Sequence, residues 1–417
     1  MEMKPATSLQ RLGITSLVVG LAVAATYAGP RADHRNPSKQ ERPTMDPVIA
    51  SAPRAPKEGR DPEERLLVVY GRDGKKALID TQGRIVVEPE FDWAFSSAEG
   101  RAAVERQRLW GYVDGTGRVV IEPAWQEAYS FNDGLAIVAN DITKTFNKSL
   151  GLTVQEGGMR GYIDRAGKVV IPPRFREARS FSDGVAWVSD GERWGLIDRT
   201  GKYLIEPRYQ VEPFTGFSDG LCPVWQGGEW SSEESAEHFG YVDKAGAAAT
   251  PAQFRAAGSF SEGVAAIVKG GKLGFIDRSG KVAIEPRFDW GSVSTNTRLP
   301  TFSEGLAPVS VAGRYGFIDR TGRVAIEPRF ERSREAAAFG SFDPGEAMEF
   351  HEGLAAVTVG GKTGFIDKEG KMIITPQFLR VGSFEKGIAR VEVSGGEWGY
   401  IRPDGSFIWN PVPAHEH

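Results

Sequence analysis

Eight aspartates recur with a glycine three residues later: Asp80/Gly83, Asp114/Gly117, Asp164/Gly167, Asp198/Gly201, Asp243/Gly246, Asp277/Gly280, Asp319/Gly322 and Asp367/Gly370. Repeated Asp and Gly invite a calcium reading, because stacked oxygen ligands hold that ion. Each loop here offers one Asp beside Arg, Lys, Thr or Ala, so the aspartates read as turn formers and no metal is expected. The histidines are His34, His238, His351, His415 and His417, and only the terminal His-Glu-His has ligand spacing, which reads as a solvated tail. No Gly-x-Ser-x-Gly elbow, phosphate-cradling loop or supported Ser/His/Asp set is present, so no catalytic residue and no cofactor is assigned. The chain is expected not to be an enzyme. The lone Cys222 excludes an intramolecular disulfide and a thiolate zinc cluster, and it stands where other repeats have Ala, which predicts a small buried side chain.

Aromatic rings offer binding chemistry instead. Trp93, Trp187, Trp225, Trp230 and Trp290 fall outside the recurring Trp position and are the candidate contacts for a ligand or partner, with core packing as the competing reading. Trp93 and Trp290 occupy the same place in their units, after Phe91-Asp92 and Phe288-Asp289, and Trp230 sits in a polar insert where exposure is expected.

The elements that must position these residues come from one repeated pattern, clearest from Gly316 to Phe330 and returning from Gly111, Gly161, Gly195, Gly240, Gly274 and Gly364. With a first copy from Ala77 and a worn last one from Gly399, nine units are counted. Asp at the first place of a turn and Gly at the fourth predict a hairpin between a Gly-Tyr/Phe-Ile-Asp strand and a Lys/Arg-Val-x-Ile strand. The proline that follows, as in Pro286 and Pro328, is expected to stop the ladder for want of an N–H. A third strand, such as Gly263 to Val268, precedes each hairpin and makes the unit a three-stranded meander. So small a sheet cannot stand alone, which predicts an all-β tandem array stabilised by stacking of neighbours. No strand is left over at either end for exchange, which favours an open or C-shaped array, with a closed propeller-like toroid as the alternative.

The Trp110-Gly111, Trp194-Gly195 and Trp398-Gly399 pairs, set in this pattern over residues 65–411, resemble the bacterial WG-repeat family. That resemblance implies a repeat scaffold and brings no set of catalytic residues with it.

Three regions are expected. Residues 1–29 carry Lys4 and Arg11 before the uncharged stretch Leu12 to Gly29, with Ala22-Val23-Ala24 in signal-peptidase form; a cleaved signal peptide and a membrane anchor both fit. Residues 30–64, rich in proline and poor in large apolar side chains, predict a flexible linker, and 65–417 the repeat domain. A net charge of −4 argues against nucleic acid as a partner. Four insertions depart from the repeat: Asn140 to Gly158, Gln226 to His238, Gly291 to Thr301, and Arg332 to Glu349, with a short helix expected over Arg334 to Ala338. The expected function is an exported envelope protein, periplasmic, surface-bound or secreted, that binds or scaffolds a protein partner. A glycan or cell-wall binder using Trp faces is the alternative, and an envelope enzyme with a site built across repeats is the second.

Overall fold

The structure is a computed structural model that describes residues 61, 63–71, 74–147, 152–213, 215–226, 238–290, 299–331, 348–394 and 396–411. Nine antiparallel sheets follow one another along the described residues, and each is one unit of the repeat. These blades cover residues 67–91, 93–125, 127–175, 177–209, 221–254, 256–289, 306–330, 355–378 and 380–409, and are numbered 1 to 9 in that order. A separate hairpin, Ile142–Asn147 with Leu152–Gly157, is inserted in blade 3.

Blade 6 shows how the sequence builds a unit. Val264–Lys269 and Lys272–Asp277 are buried along nearly their whole length, because both faces of a central strand meet neighbouring blades. The third strand, Val282–Asp289, fully buries only Ile284 and Phe288, as expected of a strand at the sheet edge. Five blades add a short strand ahead of the meander, two residues long in Trp93–Ala94, Glu127–Ala128, Glu177–Ala178 and Arg380–Val381, and longer in Ala256–Ser261. By sequence pattern alone these residues belong to the connector.

The proline does not end its strand. In blade 6 Leu273 pairs with Phe288 and Phe275 with Ile284, so Glu285, Pro286 and Arg287 together oppose Gly274. Proline fits this bulge because a bulged residue owes the ladder no N–H. The bulge folds over the glycine: a Cβ on Gly274 would lie 2.6 Å from the Pro286 nitrogen and 2.7 Å from the Ile284 carbonyl oxygen. The glycine of the Trp-Gly pair is therefore required by a close approach of backbone.

The aspartate turns form as the spacing predicts. Asp319 Oδ1 accepts N–H bonds from Thr321 (2.8 Å) and Arg323 (3.0 Å) and the Thr321 hydroxyl (2.6 Å), and Gly322 takes φ +81°. Hydroxyl donation from Thr200, Ser279 and Thr321, aided by backbone N–H groups, holds the carboxyls of Asp198, Asp277 and Asp319 below their usual 3.8. A folded-state value below the unfolded one gives stability that is present above 3.8 and lost as pH falls through the lowered values. The melting temperature is thus expected to fall as pH drops below about 4, measured by circular dichroism. Asp319→Asn, which keeps an Oδ1 acceptor, should lessen that slope; an unchanged acid limb would show the turns contribute nothing to it.

Packing then closes the array. Among the described residues nine hydrophobic clusters lie between consecutive blades, and the ninth joins the last blade to the first. Six of them repeat one theme, in which an aromatic from the middle strand meets a connector aromatic of the next blade. Examples are Tyr162 with Phe181 (4.8 Å between centroids) and Phe317 with Phe350 (5.0 Å). An arginine clasp recurs as well: Arg287 stacks on Phe288 and donates to the Gly322 carbonyl (2.6 Å), and Arg329 stacks on Phe330 and donates to the Gly370 carbonyl (2.6 Å). In the ninth cluster Leu67, Val69, Ala77 and Ile79 pack on Ile388 and Tyr400, and the Tyr400 hydroxyl donates to the Val68 carbonyl (3.0 Å). Arg65 adds an ion pair to Glu385 at 2.9 Å. The repeat array expected from the sequence is present, and of the two forms considered it takes the closed one, a nine-bladed β-propeller. An open array was favoured because no strand is exchanged; closure here uses side chains of two complete blades instead.

Candidate functional site

Strand register gives every blade two chemically different ends. In blade 6 Val264 pairs with Asp277 at one end, beside the aspartate turn, and Lys269 pairs with Lys272 at the other, beside a Gly270-Gly271 loop. The first is called the turn end and the second the loop end.

At the turn end charge is consumed by the fold. Glu99, Asp133, Asp219, Glu262, Glu304 and Glu352 each take positive φ just before a glycine that also does, forming tight turns of the I′ kind. Left-handed backbone costs a non-glycine residue about 1 kcal/mol or more. The carboxylate offsets it by accepting the N–H of the matching glycine one blade on, as Asp133 does from Gly184 (2.9 Å) and Glu352 from Gly387 (2.8 Å). Basic residues of the aspartate turns complete the lattice, with Lys244 on Asp183 and Lys368 on Glu304, both at 2.8 Å.

The loop end carries the departures from the repeat. Insertions 140–158 and 226–238 replace loop-end hairpin loops, and insertions 291–301 and 332–349 begin where the third strands of blades 6 and 7 reach that end. Residues 227–237, 291–298 and 332–347 lie outside the described residues, and with them Trp230 and the helix expected over Arg334 to Ala338. Residues 1–60, which hold the expected signal or anchor and most of the linker, lie outside as well.

The structure separates the other candidate tryptophans. Trp93 is exposed (44%) at the loop end, with the Lys76 ammonium 4.8 Å from its ring centroid. Trp290 is half-buried and walls a loop-end cavity of about 290 Å³ between blades 6 and 7, together with Tyr315, Lys272, Asp289, Ser310, Gly271 and Gly313. Trp187 and Trp225 are core residues instead, 3% and 8% exposed. Trp187 stacks on Phe217 at 5.9 Å, and Trp225 meets Phe239 and His238 edge-on at 5.4 and 4.6 Å. A second cavity of about 320 Å³ lies beside Trp187, lined also by Arg179, Glu212, Asp133 and Thr215. Cys222 is fully buried next to it, and burial pushes its thiol up to about 12, out of reach of thiolate chemistry.

Among the described residues no group of three or more His, Cys, Asp or Glu is placed to hold a metal ion. Sequence pattern alone does not bring Lys272, Ser310 and Tyr315 to Trp290. Tyr315 carried a usable signal, since it fills the recurring Trp position of the following unit.

Comparison with known proteins places the repeat. The chain matches the "WG containing repeat" family over residues 78–107, 110–141, 161–194, 194–230, 239–272, 274–315, 315–335 and 364–396. No curated protein matches it. Among solved structures it is similar to BamB from Moraxella catarrhalis, at 12% identity and a TM-score of 0.39, covering 81% of this chain and 93% of that one. It is also similar to a eukaryotic initiation factor, at 9% identity and a TM-score of 0.48, covering 83% and 95% respectively. Likenesses this distant bear on neither function nor partner. With eight matches spread over more than half its length, the chain belongs to the WG-repeat family.

Proposed function

We propose that this chain is an exported scaffold that binds a protein partner through the loop end of its ring. The observation that carries the reading is the asymmetry of the two ends. All four insertions leave from the loop end, while the turn end spends its repeated charges on holding adjacent blades together. Loops on a rigid scaffold can vary without cost to the core, and so they are where selectivity is built. The N-terminal segment carries the ring across a membrane or holds it there, which puts its partner in the envelope or outside the cell. The reading is of a binder and not of a catalyst.

The test uses residues 31–417 immobilised and exposed to solubilised envelope proteins, with saturable retention of a discrete species as the expected result. Replacing residues 227–237 by a two-glycine loop, which keeps Gln226 and His238, should reduce retention at least tenfold while leaving the melting curve in place. Retention untouched by that replacement, but lost on changing turn-end residues such as Arg278, would place the interface on the other end. Appearance of the native chain in the cytoplasmic fraction alone would remove the export reading.

A further inference from the structure

The loop end holds one feature that departs from the repeat and only partly serves the core. In most blades the residue two places after the third-strand aromatic is small or charged, as with Glu127, Glu177, Ala256 and Arg380. Blade 6 instead continues into Trp290. The residue between them, Asp289, is structural, since it pairs with Lys272 at 2.9 Å and accepts the N–H groups of Ala312 and Gly313 in the next blade. Asp92 does the same ahead of Trp93, pairing with Lys75 and accepting the Gln107 N–H at 3.0 Å. The acid is thus a brace between blades, while the half-buried indole beside it packs against the core between blades 6 and 7 and also lines a cavity.

The surroundings of Trp290 have a definite chemistry. Trp290 lines the cavity of about 290 Å³ from blade 6, and Tyr315, which also packs on the core between blades 7 and 8, lines it from blade 7. Gly271 and Gly313 line it too, and a Cβ built on either would meet nothing within 4 Å, so the mouth is open. Polar residues line it as well: Lys272, whose ammonium has one of its three donors on Asp289, together with Ser310 and Tyr315. An aromatic wall with hydroxyl- and ammonium-bearing residues beside it matches a molecule with an apolar C–H face and a rim of hydroxyls.

We propose that this pocket binds one pyranose ring of a saccharide, stacked on Trp290, with Lys272, Ser310 and Tyr315 hydrogen-bonding its hydroxyls and Asp289 acting as a positioning residue for Lys272. None of these residues belongs to the Gln226 to His238 loop, and the proposal does not depend on the protein-binding reading. At the corresponding junction of blades 1 and 2, Trp93 already carries the Lys76 ammonium on its ring and has Tyr70 beside that cation, so the free aromatic face is smaller there.

The experiment titrates residues 31–417 with chitotetraose and with cellotetraose by calorimetry, and reads saturation-transfer difference NMR on the sugar ring protons. The expected result is one site for at least one of the two sugars, with transfer strongest to protons of a single pyranose face. Trp290→Ala should weaken it tenfold or more and Trp290→Tyr should retain most of it, with circular dichroism showing both variants folded at the titration temperature. Binding unchanged in Trp290→Ala overturns the proposal, and so does absence of binding by both sugars. Saturation of the same pocket by a proline-rich peptide, with neither sugar competing, would replace the saccharide reading with a peptide one. Retention of a protein partner should be indifferent to Trp290→Ala, so the two readings fail independently.

Discussion

A Gly316→Ala variant is expected to lose roughly 3 kcal/mol of stability, and Gly316→Val to prevent blade 7 from forming. The Cβ added by alanine would lie 2.5 Å from the Ile326 carbonyl oxygen and 2.6 Å from the Pro328 nitrogen, and both are backbone atoms. Flexible side chains can swing aside, but a backbone bulge carrying proline cannot move without breaking the pairs on either side of it. Those pairs are Tyr315 with Phe330 and Phe317 with Ile326, and each anchors a buried aromatic or aliphatic group of the core between blades 7 and 8. Blade 1 sets the scale of the effect. It carries Ala77 at this register, between Lys76 paired with Phe91 and Leu78 paired with Val87, so one methyl can be absorbed where the blade is built around it. Alanine at 316 meets a blade that is not. The check is urea denaturation of Gly316→Ala, followed by hydrogen exchange over Leu306–Val311 and Val324–Phe330. A loss under about 1 kcal/mol would mean the bulge is compliant and the glycine is explained by something else.

Much of this fold is legible in the sequence alone, because the hairpin signal is local. Asp and Gly at the ends of a four-residue turn define a structure by themselves, and Asp319 with Gly322 adopts it. Closure is not legible in that way. It depends on Leu67 and Ile79 meeting Ile388 and Tyr400, a contact between ends that no periodicity encodes. The short strands escape a reading by pattern because two residues such as Glu177 and Ala178 give no alternation. Trp187 illustrates a different limit. Its strand, Val185–Ser189, is buried on both faces, so alternation cannot tell which ring is core and which is surface. The clustering of insertions at one end is readable in principle, since hairpin loops and third-strand exits share an end in any such meander. Only the folded chain reveals the junction between blades, which brings Tyr315 to Trp290.

Ile79→Ala is expected to destabilise blade 9 as much as blade 1, although the two lie at opposite ends of the described repeat. Ile79 is fully buried in the cluster that joins them, and removing a buried isoleucine side chain to alanine costs about 2–5 kcal/mol. In an open array such damage would fade within a unit or so, because each repeat contacts only its neighbours. In a closed ring the neighbours of blade 1 include blade 9, so protection at Ala389–Ser394 should fall together with that at Leu67–Tyr70. Hydrogen exchange with mass spectrometry reads both strands in one experiment. Ile318→Ala, equally buried but in the cluster between blades 6 and 7, is the reference: it should loosen the strands around it and spare Leu67–Tyr70 at low denaturant. Should Ile79→Ala leave blade 9 fully protected, the junction contributes little in solution and the ring opens there. The consequence would reach the proposed function, because the strand ends from which the four insertions leave keep their order around one end only while the circle is closed.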